Sequence, residues 1–171
     1  MTKMMPARAR NQFRAIRIFI ESKKANVDYQ YSDGGRTLLI AVTYGGFLPT
    51  IRYLVEKGNA NVDLQDNNGL TALMEASMRG YLEVVRYLVE NGNANMDLRD
   101  NHGRTALMLA STRGKLDVVR YFWRYSLRAA CSAKRLSNRA RTAFLTDYYA
   151  PTHEGAQRTA SHFTTLQKNE I

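Results

Sequence analysis

The sequence predicts an all-α protein: a solenoid of stacked helix–turn–helix units with projecting hairpin loops between them. Three observations predict it. A 34-residue period runs through the middle of the chain, and 16 of the 24 residues in positions 66–89 recur identically one period later. Within each period, a short helix-forming run after a Thr is followed by a Gly, then by a second run with apolar residues at spacings of three and four. Between periods lie clusters of Asn, Asp and Gly, which suit a protruding turn. Neither run is long enough to be stable as an isolated helix, so neighbouring units must cover each other's apolar faces.

The elements follow in order along the chain. Phe13, Ile16-Arg17 and Phe19-Ile20-Glu21 fall on Leu48, Ile51-Arg52 and Leu54-Val55-Glu56 at a shift of 35, so residues 10–31 read as the second half of a unit, a half-repeat N-terminal cap. Residues 32–65, 66–99 and 100–125 are the next three units, and with the half unit they make one repeat domain over 10–125. In the unit at 66–99, Thr71 is placed to cap the run Ala72-Leu73-Met74-Glu75-Ala76. Gly80 then breaks the chain. Leu82, Val85, Leu88 and Val89 line one face of a second helix, and Asn91-Gly92 is expected to end it, with Gly92 in the left-handed conformation. Asn59 and Asn93 read as single-residue insertions before the next hairpin. Tyr53, Tyr87 and Tyr121 recur on the second helix, where core packing with a wet hydroxyl is expected. A ladder for stacking nucleotides is the alternative.

Composition excludes several classes. The 171 residues hold 44% hydrophobic and 23% charged residues, close to ordinary globular chains, so a core can form. A single Cys, Cys131, can form no disulfide within the chain, which excludes a stapled secreted scaffold. No apolar stretch is long enough to span a bilayer. The net charge of +10 is uneven. Residues 1–25 carry seven bases and one acid, residues 26–117 nine bases and eleven acids, and residues 118–171 nine bases and three acids. Basic ends attract polyanions, or simply keep a protein solvated. The basic, acid-free start is similar to a mitochondrial presequence, but its apolar residues sit where the repeat requires them. An intracellular protein, cytoplasmic or nuclear, is therefore expected before a mitochondrial one, and a monomer is expected.

The pattern Asp-x-x-Gly-x-Thr-Ala-Leu-Met-x-Ala-Ser-x-x-Gly, followed by Leu-x-Val-Val-Arg-Tyr-Leu-Val-Glu-x-Gly, resembles the ankyrin repeat over about residues 10–125. The resemblance implies an ankyrin-repeat solenoid with projecting β-hairpins, which works by binding other macromolecules. The chain departs from the family where Leu38, Ala72 and Ala106 replace its usual Pro, and where Ile40, Met74 and Met108 replace its usual His. Apolar contact should therefore replace the family's polar bridge. The resemblance implies partner contacts from hairpin tips and the exposed face of the first helices. Those positions are Arg36 and Tyr44, then Asn67, Asn68, Leu70, Met78 and Arg79, then Asn101, His102, Arg104, Thr112 and Arg113. Four arginines among them suit an acidic or extended peptide of a protein partner, since Arg can fork onto carboxylates. The competing reading is that Arg79 and Arg113 only cover the turns at Gly80 and Gly114.

The frame breaks after Tyr121. Arg124 replaces Glu90, reversing the charge, and Ser126 replaces Gly92, so the last helix should run on. Residues 126–146 read as a basic helical extension or a cap, residues 1–9 as a disordered basic leader and residues 147–171 as a disordered polar tail. Residues 118–146 hold seven bases and no acid. Arg120, Arg124, Arg128, Lys134, Arg135, Arg139 and Arg141 are therefore an alternative site, for RNA or DNA. Catalysis is not expected. The three His are His102, His153 and His162, no Cys or His pair has metal-ligand spacing, and no phosphate-binding loop is present. Nothing fixes Cys131 against His153 as nucleophile and base. No cofactor or metal is expected.

Overall fold

A computed structural model describes residues 7–22, 26–32 and 34–132. Among these residues the chain forms seven helices and no strand: α1 (Ala7–Glu21), α2 (Leu38–Tyr44), α3 (Leu48–Glu56), α4 (Ala72–Arg79), α5 (Leu82–Glu90), α6 (Ala106–Thr112) and α7 (Leu116–Ser132). The short first helices α2, α4 and α6 pack on one another in one layer, and α1, α3, α5 and α7 pack in a second. Each first helix also packs on its own unit's second helix. The hydrophobic core runs through all units between the layers. Ile51, Leu54, Val85, Leu88, Val118 and Val119 are each 0% exposed. Ile40 and Met74 are buried in it as well, so the positions where the family usually has His make apolar contact. Met108, in the last unit, is only half-buried.

Three threonines start the first helices. The side chains of Thr37, Thr71 and Thr105 accept hydrogen bonds from the backbone N–H groups of Ile40, Met74 and Met108. All three are 1% exposed, so water cannot replace the bond if the hydroxyl is lost. Before each cap stands the projecting loop. Asp66 N–H donates to Leu70 O at 3.0 Å, and Asp100 N–H donates to Arg104 O at 2.9 Å. The Asp66 carboxylate accepts from the N–H groups of Asn68 and Leu70, and Asp100 does the same for His102 and Arg104. The hairpins are therefore loops closed by a buried Asp rather than paired strands. Successive loops are pinned together, with Asn67 N–H donating to Gly34 O at 2.9 Å and Asn101 N–H to Asn68 O at 3.0 Å. A Cβ at Gly69 would come within 2.8 Å of Asn101 N, so glycine is what lets the loops approach so closely.

The second helices end differently from the expectation for Gly92. Asn91 caps α5 at φ −113, and the left-handed residue is Asn93 at φ 52, matched by Asn59 at φ 55. Gly92 serves a different need: a Cβ there would meet Leu88 O at 2.8 Å. The inserted asparagines thus carry the reversal themselves, a conformation Asn tolerates better than most residues. Two expected boundaries fall inside helices. Helix α1 begins at Ala7, within the stretch read as a leader over 1–9, and α7 continues through 125 to Ser132, as the missing glycine stop suggested. The remainder of the extension to 146 and the tail at 147–171 lie outside the described residues.

A side-chain ladder joins the second helices. The Tyr53 hydroxyl donates to Glu21 at 3.3 Å, Tyr87 to Glu56 at 3.1 Å and Tyr121 to Glu90 at 3.2 Å. Arg52 lies over the Tyr87 ring at 5.1 Å and Arg86 over the Tyr121 ring at 5.7 Å. Tyr87 and Tyr121 are buried and Tyr53 is half-buried, so these rings are packing residues with acid-bound hydroxyls and offer no open faces to a base. Burial, then the Glu56 carboxylate, pushes the Tyr87 phenol up to about 12. Tyr121 is raised further for the same reasons.

Candidate interaction face

The exposed side of the first-helix layer and the loop tips carry the residues singled out in the sequence. Asn67, Asn68, Asn101 and His102 are exposed at the tips. Their backbones are already bonded, and Asn101 Nδ2 also donates to Asn67 O, so the tips form a fixed polar ridge. Leu70 and Met78 are half-buried against the core and contribute edges rather than free side chains. Tyr44, Thr112 and Arg113 are exposed at the ends of α2 and α6. The Thr112 hydroxyl donates to Leu109 O.

The four arginines do not behave as one set. Arg36 reaches Asp66 Oδ2 at 3.9 Å. Arg104 grips Asp100 Oδ2 through Nε at 2.8 Å and Nη2 at 2.7 Å. Burial works against the Asp100 carboxylate, but these bonds and the two backbone N–H groups outweigh it and hold it below the usual range. Arg79 pairs through Nε with Glu75, and its guanidinium carbon sits 3.4 Å above the centre of the Tyr44 ring from the preceding unit. Arg79 is therefore held by Tyr44 and Glu75, which goes beyond covering the turn at Gly80. Arg113 has no acid within ion-pair distance among the described residues. In each pair the acid is inside and the base outside. The Asp66, Asp100 and Glu75 side chains are 1%, 1% and 10% exposed, against 52%, 44% and 31% for Arg36, Arg104 and Arg79. The face turned to solvent is thus cationic, although the acids balance most of its charge from beneath.

Two residues of this region escaped the sequence reading. Tyr29 and Tyr31, in the first loop, are 59% and 45% exposed, with rings edge-to-face at 5.6 Å. Tyr31 N–H donates to Arg36 O, the role Asp66 and Asp100 play in later loops. The available signal was indirect: Ser32 stands one period before Asp66, where the later loops use Asp.

The alternative basic site is only partly visible. Arg120 lies 3.5 Å from Asp117, and Arg124 is exposed. Arg128 is on α7, but its side chain lies outside what the structure describes, as do Lys134, Arg135, Arg139 and Arg141. Among the described residues no group of three His, Cys, Asp or Glu could hold a metal, and no helix is long and apolar enough to cross a membrane.

The family model for ankyrin repeats (3 copies) matches residues 4–100 and 38–132. No curated protein matches the chain. Among solved structures, one similar chain comes from yeast ribosomal protein Rps3 in complex with its chaperone Yar1. It is 26% identical at a TM-score of 0.60, over 67% of this chain and 84% of that one. Another comes from the predatory endopeptidase Bd0816 of Bdellovibrio bacteriovorus in complex with immunity protein Bd3460. It is 34% identical at a TM-score of 0.47, over 49% of this chain and only 43% of that one. Ankyrin repeats are generally protein–protein interaction modules and are typically non-catalytic. The family match spans residues 4–132, and the chain belongs to the ankyrin-repeat family.

Proposed function

We propose that this chain is a non-catalytic adaptor that docks a protein partner across its loop tips and the exposed side of its first helices. The observation that carries this reading is the fixed ridge: exposed side chains at Asn67, Asn68, Asn101 and His102 stand on loops whose backbone bonds are already made. Such a surface loses little conformational entropy when a partner binds. Exposed Tyr44 and the outward arginines add the residue types that dominate protein interfaces. The structural neighbour at a TM-score of 0.60 comes from a complex of two proteins, which is consistent with this use of the fold. The adaptor acts inside the cell and as a single copy. The test is affinity capture with the Arg79→Glu, Arg113→Glu double variant beside the parent chain. Loss of captured proteins is expected, and an unaltered set counts against this face. Substrate turnover abolished by Cys131→Ala would overturn the non-catalytic reading.

One observation favours a second reading. Arg124 stands where earlier units have Glu56 and Glu90, so α7 loses the acid that balances its arginines. RNA or DNA held there would bind more weakly as salt rises. Changing Arg128, Lys134, Arg135, Arg139 and Arg141 together to Glu should then abolish that binding, and unchanged affinity ends this reading.

A further inference from the structure

We propose that Arg79 is the anchor of the docking face, and that it takes a carboxylate, the side chain of an Asp or Glu in an extended segment of the partner laid along the first-helix layer. This rests on the docking function proposed above and specifies its chemistry.

The four arginines of the face differ in how ready they are for an incoming anion. Arg104 is bound twice by Asp100, and Arg36 reaches loosely across to Asp66. Arg113 has no acid partner among the described residues, but no ring or carboxylate restrains it either. Arg79 alone is fixed from two sides. The Tyr44 ring lies beneath its guanidinium carbon at 3.4 Å, and Glu75 holds Nε. The two contacts come from different units, so stacking of the repeats itself sets the direction of this side chain. Ordering a long side chain is a main cost of using arginine in recognition, and here the fold has met that cost before a partner arrives.

Position adds to orientation. The Arg79 side chain is 31% exposed, so it is accessible yet partly withdrawn from water, where a charge-assisted hydrogen bond is stronger than on an open surface. Glu75 is taken up through Nε, and no second carboxylate among the described residues lies within ion-pair distance of the guanidinium. Half-buried Met78 beside it, and exposed Thr112 and Arg113 one unit further on, continue the surface. Neighbouring packed helices lie about 8–10 Å apart, and an extended chain advances about 3.3 Å per residue. Two acidic residues about three positions apart in the partner would therefore meet Arg79 and Arg113 together. A nucleic-acid occupant suits the site less well, because the Tyr44 face that a base would stack on is covered by the guanidinium.

The experiment selects a display library of random peptides on the intact folded chain. Enriched sequences are then measured as synthetic peptides by fluorescence anisotropy against the parent, Arg79→Lys, Tyr44→Ala and Arg113→Gln. Arg79→Lys keeps the charge opposite Glu75 but loses the planar fork. Tyr44→Ala removes the platform at an exposed position, so a variant that fails to fold does not leave the question open. Enriched peptides should carry acids about three positions apart, and Arg79→Lys and Tyr44→Ala should each weaken binding about tenfold. Replacing the anchoring Glu of the peptide by Gln should weaken binding to the parent by the same factor and add little against Arg79→Lys. Peptides that need Arg113 or the loop tips but ignore Arg79 and Tyr44, or whose losses simply add, overturn the anchor and leave the docking function standing. If no peptide is enriched, both fall. If a single-stranded oligonucleotide binds with the same dependence on Arg79, the site belongs to phosphate and the carboxylate assignment is overturned.

Discussion

Thr71 illustrates how much a single side chain carries in this fold. It caps α4, and it is 1% exposed, so the N–H of Met74 would be left without a partner by Thr71→Ala. The expected cost is about 1–2 kcal/mol, seen as a lower urea midpoint with an unchanged slope. Tyr87 makes the fold sensitive to alkali. Its phenol sits at about 12 in the folded chain against an ordinary 10.0, so its contribution to stability is complete below 10.0. It is lost as pH rises toward about 12, because the unfolded chain gives up the proton first. Tyr87→Phe should therefore flatten the fall of the urea midpoint over that window, and a fall as steep as the parent's would show that the buried Tyr87 phenol is not its source. The cap at Thr71 was legible because it is local, a Thr before a helix-forming run. The Glu56 partner of Tyr87 and the Tyr44 partner of Arg79 were not, because they sit 31 and 35 residues away and meet only after units stack. The recurrence of a Glu before each of Tyr53, Tyr87 and Tyr121 at nearly one period was the available hint.

At the scale of elements, periodicity located the helices because each buries a single face at a helical spacing. It placed the second-helix ends less well. Gly92 looked like the left-handed residue, since glycine commonly is, yet Asn93 takes φ 52 and Gly92 is needed for its lack of a side chain near Leu88 O. A sequence shows that a turn contains Asn and Gly, but which one reverses the chain depends on the clearance behind it. The two roles predict different tolerances. Asn93→Gly should fold at least as well as the parent, whereas Asn93→Val should lose about 1–2 kcal/mol by thermal or urea unfolding. Gly92→Ala should also destabilise, through crowding rather than through backbone conformation. Equal behaviour of Asn93→Gly and Asn93→Val would contradict the left-handed assignment.

For the whole molecule, depth in the stack decides what a repeat position is worth. Phe19 and Leu88 occupy the same place in their units, but Phe19 is 42% exposed and Leu88 0%. Leu88→Ala should cost about 2–5 kcal/mol, and Phe19→Ala markedly less, because half of that ring already faces water. Similar losses in the two variants would mean that something covers α1 in solution. The ladder of tyrosines also ends at both outer units. Ile18 occupies the phenol's place in α1, and Arg124 replaces the acceptor in α7. Suppose copies of the chain tried to concatenate, tail to head. The seam would bring an oily side chain and a cation to the spot where a hydroxyl and a carboxylate belong. Each joint between the described second helices has its latch, and that seam would lack one.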